Sequence, residues 1–147
     1  MDKKPTNQIV EQILTNIAQL LPQYLQNEAN NAVAEGNVGI CLISEEGQTY
    51  GKMYGSDQVK QRFFYQLAWQ KASQVWITKE NTGVFEQKVF NGEINERKFG
   101  IKRHDFVGWE GGQTIWVNNQ ALAVGFSGLR AQDDLDIVRK AVKILKD

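Results

Sequence analysis

Residues 111–134 read Gly-Gly-Gln-Thr-Ile-Trp-Val-Asn-Asn-Gln-Ala-Leu-Ala-Val-Gly-Phe-Ser-Gly-Leu-Arg-Ala-Gln-Asp-Asp. Two apolar runs, 113–118 and 121–127, meet at Asn118-Asn119. Asparagine tolerates positive φ, so the pair predicts a tight hairpin. Gly125 and Gly128 let the backbone turn, or approach a neighbour, where a side chain could not. Asp133, Asp134 and Asp136 then open a helix over 131–146, where the N-terminal dipole favours negative charge. Lys140, Lys143 and Lys146 complement its other end.

Working outward, residues 7–35 repeat apolar positions at three- and four-residue steps, a helical spacing. Pro22 interrupts them and predicts two consecutive helices, the second opening at the proline. Gly36-Asn37 stops the second. Val38–Ser44 is apolar or small on both faces, which predicts a strand covered on both sides. Glu45-Glu46-Gly47 turns the chain into a partner strand over 48–54, whose Gly51 marks a bulge or a close contact. Asp57 caps a helix over 58–77. Val59, Phe63, Leu67, Val75 and Trp76 are expected on its apolar face, with Ala68 and Ala72 permitting close approach. Residues 78–110 predict one short helix or turn near 84–90 and a long connection, a kind of segment that often carries function. Short turns between neighbouring strands imply an antiparallel sheet and an α+β fold.

The 147 residues suit one domain spanning 1–147, large enough to bury a core. Lys+Arg and Asp+Glu are both 17, for a formal net charge of zero, so no basic footprint points to nucleic acid. The single cysteine, Cys41, excludes an intrachain disulfide and fits a reducing compartment. Polar residues break every apolar run from Ile9 to Leu25. Neither a signal peptide nor a membrane span is expected, and cytoplasm is the expected location.

The 111–134 layout resembles the GlcG/HbpS-like family, also named the haem-degrading domain family. Its members carry a Gly-Gly-x-Pro-Ile strand start, a Gly-x-Ser-Gly strand end and a Gln-Asp or Glu-Asp helix start. Here Gly111, Gly112 and Ile115 match the first element, Gly125, Ser127 and Gly128 the second, and Gln132 and Asp133 the third. Thr114 stands in place of the usual proline. Lys71-Ala72 is similar to a Lys-Ala pair in the family's long helix. The resemblance spans roughly 29–145. It implies a profilin-like antiparallel sheet flanked by helices on both sides, a ligand-binding or accessory role, haem as a candidate cofactor, and homo-oligomers.

His104 is the only histidine. It reads either as a haem-iron ligand, the single candidate metal ligand here, or a proton-transfer group, or as an exposed loop residue. Cys41 reads as a nucleophile or, in its apolar strand, as a small hydrophobe. Gly125–Gly128 fails as a nucleophile elbow because Leu129 stands where the last glycine belongs. No catalytic residue is assigned. Gly108–Gly112 is either a loop into the sheet or a pocket wall. Trp69 and Trp76 lie two helical turns apart and suit a core or a subunit interface, or else an aromatic ligand platform with Arg62 and Lys71 as its polar groups. The ligand-binding candidates are Arg62, Lys71, His104, Trp109, Gly111, Gly112, Ser127 and Arg130. They suggest an anion between 108–112 and the start of the last helix, with Lys102 or Arg103 near a haem propionate. Asp133 and Asp134 oppose that placement. The expected function is a small cytoplasmic ligand-binding or accessory protein whose candidate ligand is haem. The alternatives are a small hydrolase or redox enzyme using His104 or Cys41, and an oligomeric interaction protein without a small ligand.

Overall fold

The computed structural model describes residues 4–146. The expectations for residues 1–3 and for the Lys146 side chain lie outside the described residues. The elements run α1 (Thr6–Leu25), α2 (Glu28–Ala34), β1 (Val38–Ser44), β2 (Thr49–Tyr54), α3 (Gln58–Thr78), α4 (Thr82–Phe90), β3 (Gly112–Val117), β4 (Gln120–Ser127) and α5 (Ala131–Lys146). Two single tight turns, Glu96–Phe99 and Arg103–Asp105, punctuate the connection between α4 and β3.

The four strands form one antiparallel sheet in the order β2-β1-β4-β3. β1 is buried along its whole length, as its two apolar faces require. Ile40 and Leu42, with Leu122, Val124 and Phe126 of β4, face α1 and α5. Cys41, Ile43 and Ala123 face α3. Strand periodicity thus gives each helical layer its own half of the core. The fold is α+β, with helices on both sides of the sheet. Asn118 and Asn119 have φ of 50° and 64°, so the hairpin uses the backbone freedom its sequence offered.

Pro22 does not open the second helix. It lies inside the last turn of α1, which continues to Leu25. There it removes a hydrogen bond to Ala18 O and crowds that carbonyl, and the helix ends three residues later. The break falls at Asn27, whose Oδ1 accepts from Asn30 N at 3.1 Å and caps α2.

Asp57 caps α3 as expected, its Oδ1 accepting from Val59 N at 3.0 Å and Lys60 N at 3.3 Å. The expected apolar face of α3 is corrected at its N-terminal half, where Val59 and Phe63 are 80% and 55% exposed. Val75, Ala68 and Ala72 lie on the sheet and Trp76 packs beside them, as expected, and Phe64 and Lys71 complete the face. Small residues bring the helix so close that a Cβ on Gly125 would lie 2.6 Å from Ala72 N. Gly51 likewise lies under the Tyr65 ring.

Candidate functional site

The connection over 91–111 is held by polar clamps rather than by regular structure. Gln74 on α3 bonds both backbone groups of Val107: Nε2 donates to its carbonyl at 2.7 Å, and Oε1 accepts from its N–H at 2.9 Å. Thr82 Oγ1 donates to Trp109 O at 2.5 Å and accepts from Gly112 N at 3.3 Å. Under this segment Phe85 is fully buried against the rings of Phe99 and Phe106. The short helix expected near 84–90 is α4.

These clamps lay the segment along the outer side of α3. A groove of about 420 Å³ opens between them, with Trp69, Trp76 and Ile77 on the helix side and Phe99, Ile101 and Asp105 on the other. Its size is that of a small-molecule site, and its walls are mostly aromatic or apolar. His104 stands beside Asp105 at its margin, with its side chain 75% exposed. Nε2 lies 3.5 Å from Asp105 Oδ2, which leaves the other ring nitrogen without a partner among the described residues. A carboxylate on one nitrogen is how ligating histidines are commonly oriented. Arg103 is drawn aside by Glu96, at 2.8 Å, and lies over the Phe90 ring. Among the described residues no three metal-ligating side chains converge, so the iron of a haem here would rest on His104 alone. The groove's aromatic and apolar walls suit the apolar faces of such a group, and His104 adjoins them through Asp105, which lines the groove.

A second set of sequence candidates meets at the far end of the sheet. Lys71 Nζ donates to Phe126 O at 2.9 Å and pairs with Asp134 Oδ2 at 3.3 Å. Asp134 Oδ1 accepts from Leu129 N at 2.9 Å. Burial lowers the Lys71 ammonium from its ordinary range, against the attraction of Asp134 and Glu110. Burial likewise raises the Asp134 carboxyl to about 7. Gly111, with φ of 123°, passes so close that a Cβ would lie 2.6 Å from Lys71 Nζ. Gly112 and Ser127 are buried beside this cluster on neighbouring strand ends. Lys71, Gly111, Gly112 and Ser127 therefore come together, as a packed polar joint.

Next to the anion site expected between 108–112 and α5, the two amides before the helix are engaged. Leu129 N is held by Asp134, and Arg130 N donates to Asn30 Oδ1 at 2.9 Å. The Arg130 guanidinium itself is folded onto Asp133. Asn30, missed in the sequence, is the keystone: buried, it also donates to Tyr24 O and Asp133 Oδ2, both at 2.9 Å. The remaining candidates lie apart. Trp109 is 69% exposed, and Arg62 lines a separate hollow with Met53 and Tyr65. Cys41 is fully buried, and burial raises its thiol pKa, so an accessible thiolate is lacking.

A sheet of this order between two helical layers, with a groove outside the long helix, defines a class of small α+β domain. No family model and no curated protein matches the chain. Among solved structures it is similar to a PduOC–haem complex, with 16% identity, TM-score 0.70, and 96% of this chain and 94% of that one covered. Protein ORFY of Klebsiella pneumoniae gives 17% identity and TM-score 0.69, covering 99% and 97%. A double mutant of HbpS from Streptomyces reticuli gives 13% and 0.63, covering 99% and 89%. The chain has the GlcG/HbpS-like fold that its 111–134 motifs implied. At these identities the likeness speaks for the fold.

Proposed function

We propose that the chain is a small cytoplasmic ligand-binding or accessory protein, and that haem is its ligand. The observation that carries this is the aromatic-walled groove between α3 and residues 99–105, with the only histidine at its margin. A PduOC structure of the same fold is a haem complex. In this reading His104 would hold the iron and Asp105 would orient the imidazole. Trp69, Phe99 and Ile101 would shield the macrocycle from water, with Lys102 or Arg103 available to a propionate. Bound haem would supply an iron centre for gas binding or electron transfer.

The test is a haem titration followed in the Soret band. Wild type is expected to show a saturable shift that His104→Ala loses. No saturable change in wild type removes the haem reading, and equal binding by both proteins removes His104 as the ligand.

A homo-oligomer is proposed on a separate observation. Val59, Phe63, Trp69 and Ile77 leave the outer side of α3 apolar and exposed, and such faces commonly meet a partner. Light scattering at micromolar concentration is expected to give a multiple of the chain mass, and Phe63→Lys to lower it. A monomer at every concentration overturns it.

A further inference from the structure

The two edges of the sheet differ. β3 is mostly buried. β2 is exposed at Thr49 and from Gly51 to Met53. The ladder between β1 and β2 fixes which backbone groups of this edge are free. Ser44 N donates to Gln48 O at 2.9 Å, so these two residues are a bonded pair. Bonded and non-bonded pairs alternate along an antiparallel ladder. In the observed register, Tyr50, Lys52 and Tyr54 therefore bond to β1, and the N–H and C=O groups of Thr49, Gly51 and Met53 point outward. None of those groups makes a backbone hydrogen bond elsewhere among the described residues.

Thr49 and Gly51 pair with Ile43 and Cys41, which pack against α3, so this set of residues shares the α3 face. On that face a hollow of about 460 Å³ lies between the strand and the helix, lined by Met53, Gln58, Gln61, Arg62, Tyr65 and Gln66. Tyr65 stands over Gly51, where a Cβ would lie 2.2 Å from the phenol oxygen. Of the six lining residues Arg62 alone is charged. It is exposed, and its guanidinium forms no ion pair or side-chain hydrogen bond among the described residues. Other charges of this region are engaged or turned away. Asp57 caps α3, and Lys60 pairs with Glu35. Lys52 belongs to the opposite face of the strand, 5.9 Å from the Tyr54 ring centroid.

We propose that β2 and this hollow bind an extended peptide segment that carries a glutamate. The segment lies along β2 as a further strand, through main-chain hydrogen bonds to Thr49, Gly51 and Met53. Its glutamate projects onto the α3 face. There the methylene stem rests on Met53 and Tyr65, and the carboxylate meets the Arg62 guanidinium. A second copy of this chain fits less well. Its own β2 carries Lys52 as the sole charge and leaves Arg62 without a carboxylate. The hollow shares no lining residue with the groove beside His104, and its readout does not involve haem.

The test follows the backbone amide resonances of the protein during titration with the end-blocked peptide Thr-Val-Thr-Glu-Thr-Val-Thr. The same peptide with a central glutamine is titrated beside it. The glutamate peptide is expected to shift the amides of Thr49, Gly51 and Met53 saturably. It is expected to bind about threefold or more tighter than the glutamine peptide. Arg62→Gln is expected to erase that preference, and because Arg62 is exposed this variant reports on the site rather than on the fold. Only one edge of an added strand faces β2. N-methylation of one alternate set of peptide residues is therefore expected to abolish the shifts, and of the other set to leave them. No saturable shift, equal binding of the two peptides by wild type, a preference that survives Arg62→Gln, or the same response to both N-methylated sets overturns the proposal. So does broadening of the β2 amides on concentrating the protein alone, with no response to peptide, which marks a second copy on this edge.

Discussion

Lys71 of α3 and Asp134 of α5 form an ion pair at 3.3 Å, with only 3% and 5% of their side chains exposed. The pair joins helices from opposite layers past the end of the sheet, and the Phe126 carbonyl completes the ammonium's contacts. Removing one partner of such a pair leaves an uncompensated buried charge. Lys71→Ala is expected to lower unfolding stability by about 3–5 kcal/mol, read from urea denaturation. Lys71→Met with Asp134→Leu is expected to recover most of the loss. A single-variant cost under about 1 kcal/mol would mean that water reaches the pair.

The same pair gives stability an inverted dependence on pH. Burial raises Asp134 from 3.8 to about 7, outweighing Lys71 and the Leu129 N–H. Glu110 and Asp133 also face the joint. A carboxyl with a raised folded pKa keeps its proton in the folded state after the unfolded chain has lost it. Between about pH 4 and 7 the folded state binds more protons, so this contribution falls as pH rises and is gone above about 7. Lys71, lowered by burial, acts in the opposite sense at higher pH, up to its ordinary 10.5. Urea midpoints of wild type and Asp134→Asn at pH 5 and 7.5 isolate the carboxyl. The advantage of wild type is expected to shrink at the higher pH, and a widening gap would reverse the assignment.

Asn30 ties α2 to the end of α1 through Tyr24 O and to the start of α5 through Asp133 Oδ2 and Arg130 N. Truncation strands a partly buried backbone donor and removes a partner of a carboxylate. Asn30→Ala is expected to cost about 2 kcal/mol or more, from groups left without hydrogen bonds. Asn30→Asp, which keeps the acceptor but faces Asp133, is expected to be no better at neutral pH. Thermal melts of both variants check this.

Local chemistry was legible where the partner lay close in sequence. Asp57 capping α3, the Asn118-Asn119 turn and the doubly apolar β1 all declared themselves. What escaped depended on distant partners. Asp134 reads as a helix-start acid, yet its ammonium partner is 63 residues away. Asn30 answers to Arg130, 100 residues on, and Gln74 to Val107, 33 on. The buried face of α3 was legible at Ala68, Ala72 and Val75, but Lys71 shares it while Val59 and Phe63 face outward. Polar residues such as Arg62, Gln66 and Gln70 interleave with the apolar ones, so the helix offers no single stripe to read. Of the candidate residues, Lys71, Gly111, Gly112 and Ser127 meet in a packed joint whose contacts span the chain, and His104 lies exposed in the short turn Arg103–Asp105. The groove beside His104 was not legible, since it depends on the clamps from Gln74 and Thr82 to Val107, Trp109 and Gly112.

Gly128 and Ser127 adjoin in the strand-end motif but carry different constraints. Gly128 has φ of 132°, a region that side chains rarely adopt. A Cβ there would lie 2.7 Å from Val38 Cγ1 and 2.9 Å from Asn37 O. Val38 is fully buried on β1, and the Asn37 side chain is bonded to the backbone of Ser56 and Asp57. Neither neighbour can retreat without disturbing the entry of α3. Ser127 is buried, but its loss to alanine removes only a hydroxyl. Gly128→Val is therefore expected to destabilise the fold by at least about 1–3 kcal/mol more than Ser127→Ala, the scale of a strained backbone position. Chemical denaturation of the two variants side by side measures the gap. Equal midpoints would show that the corner can shift its backbone, and that the β1 entry is looser than its contacts indicate.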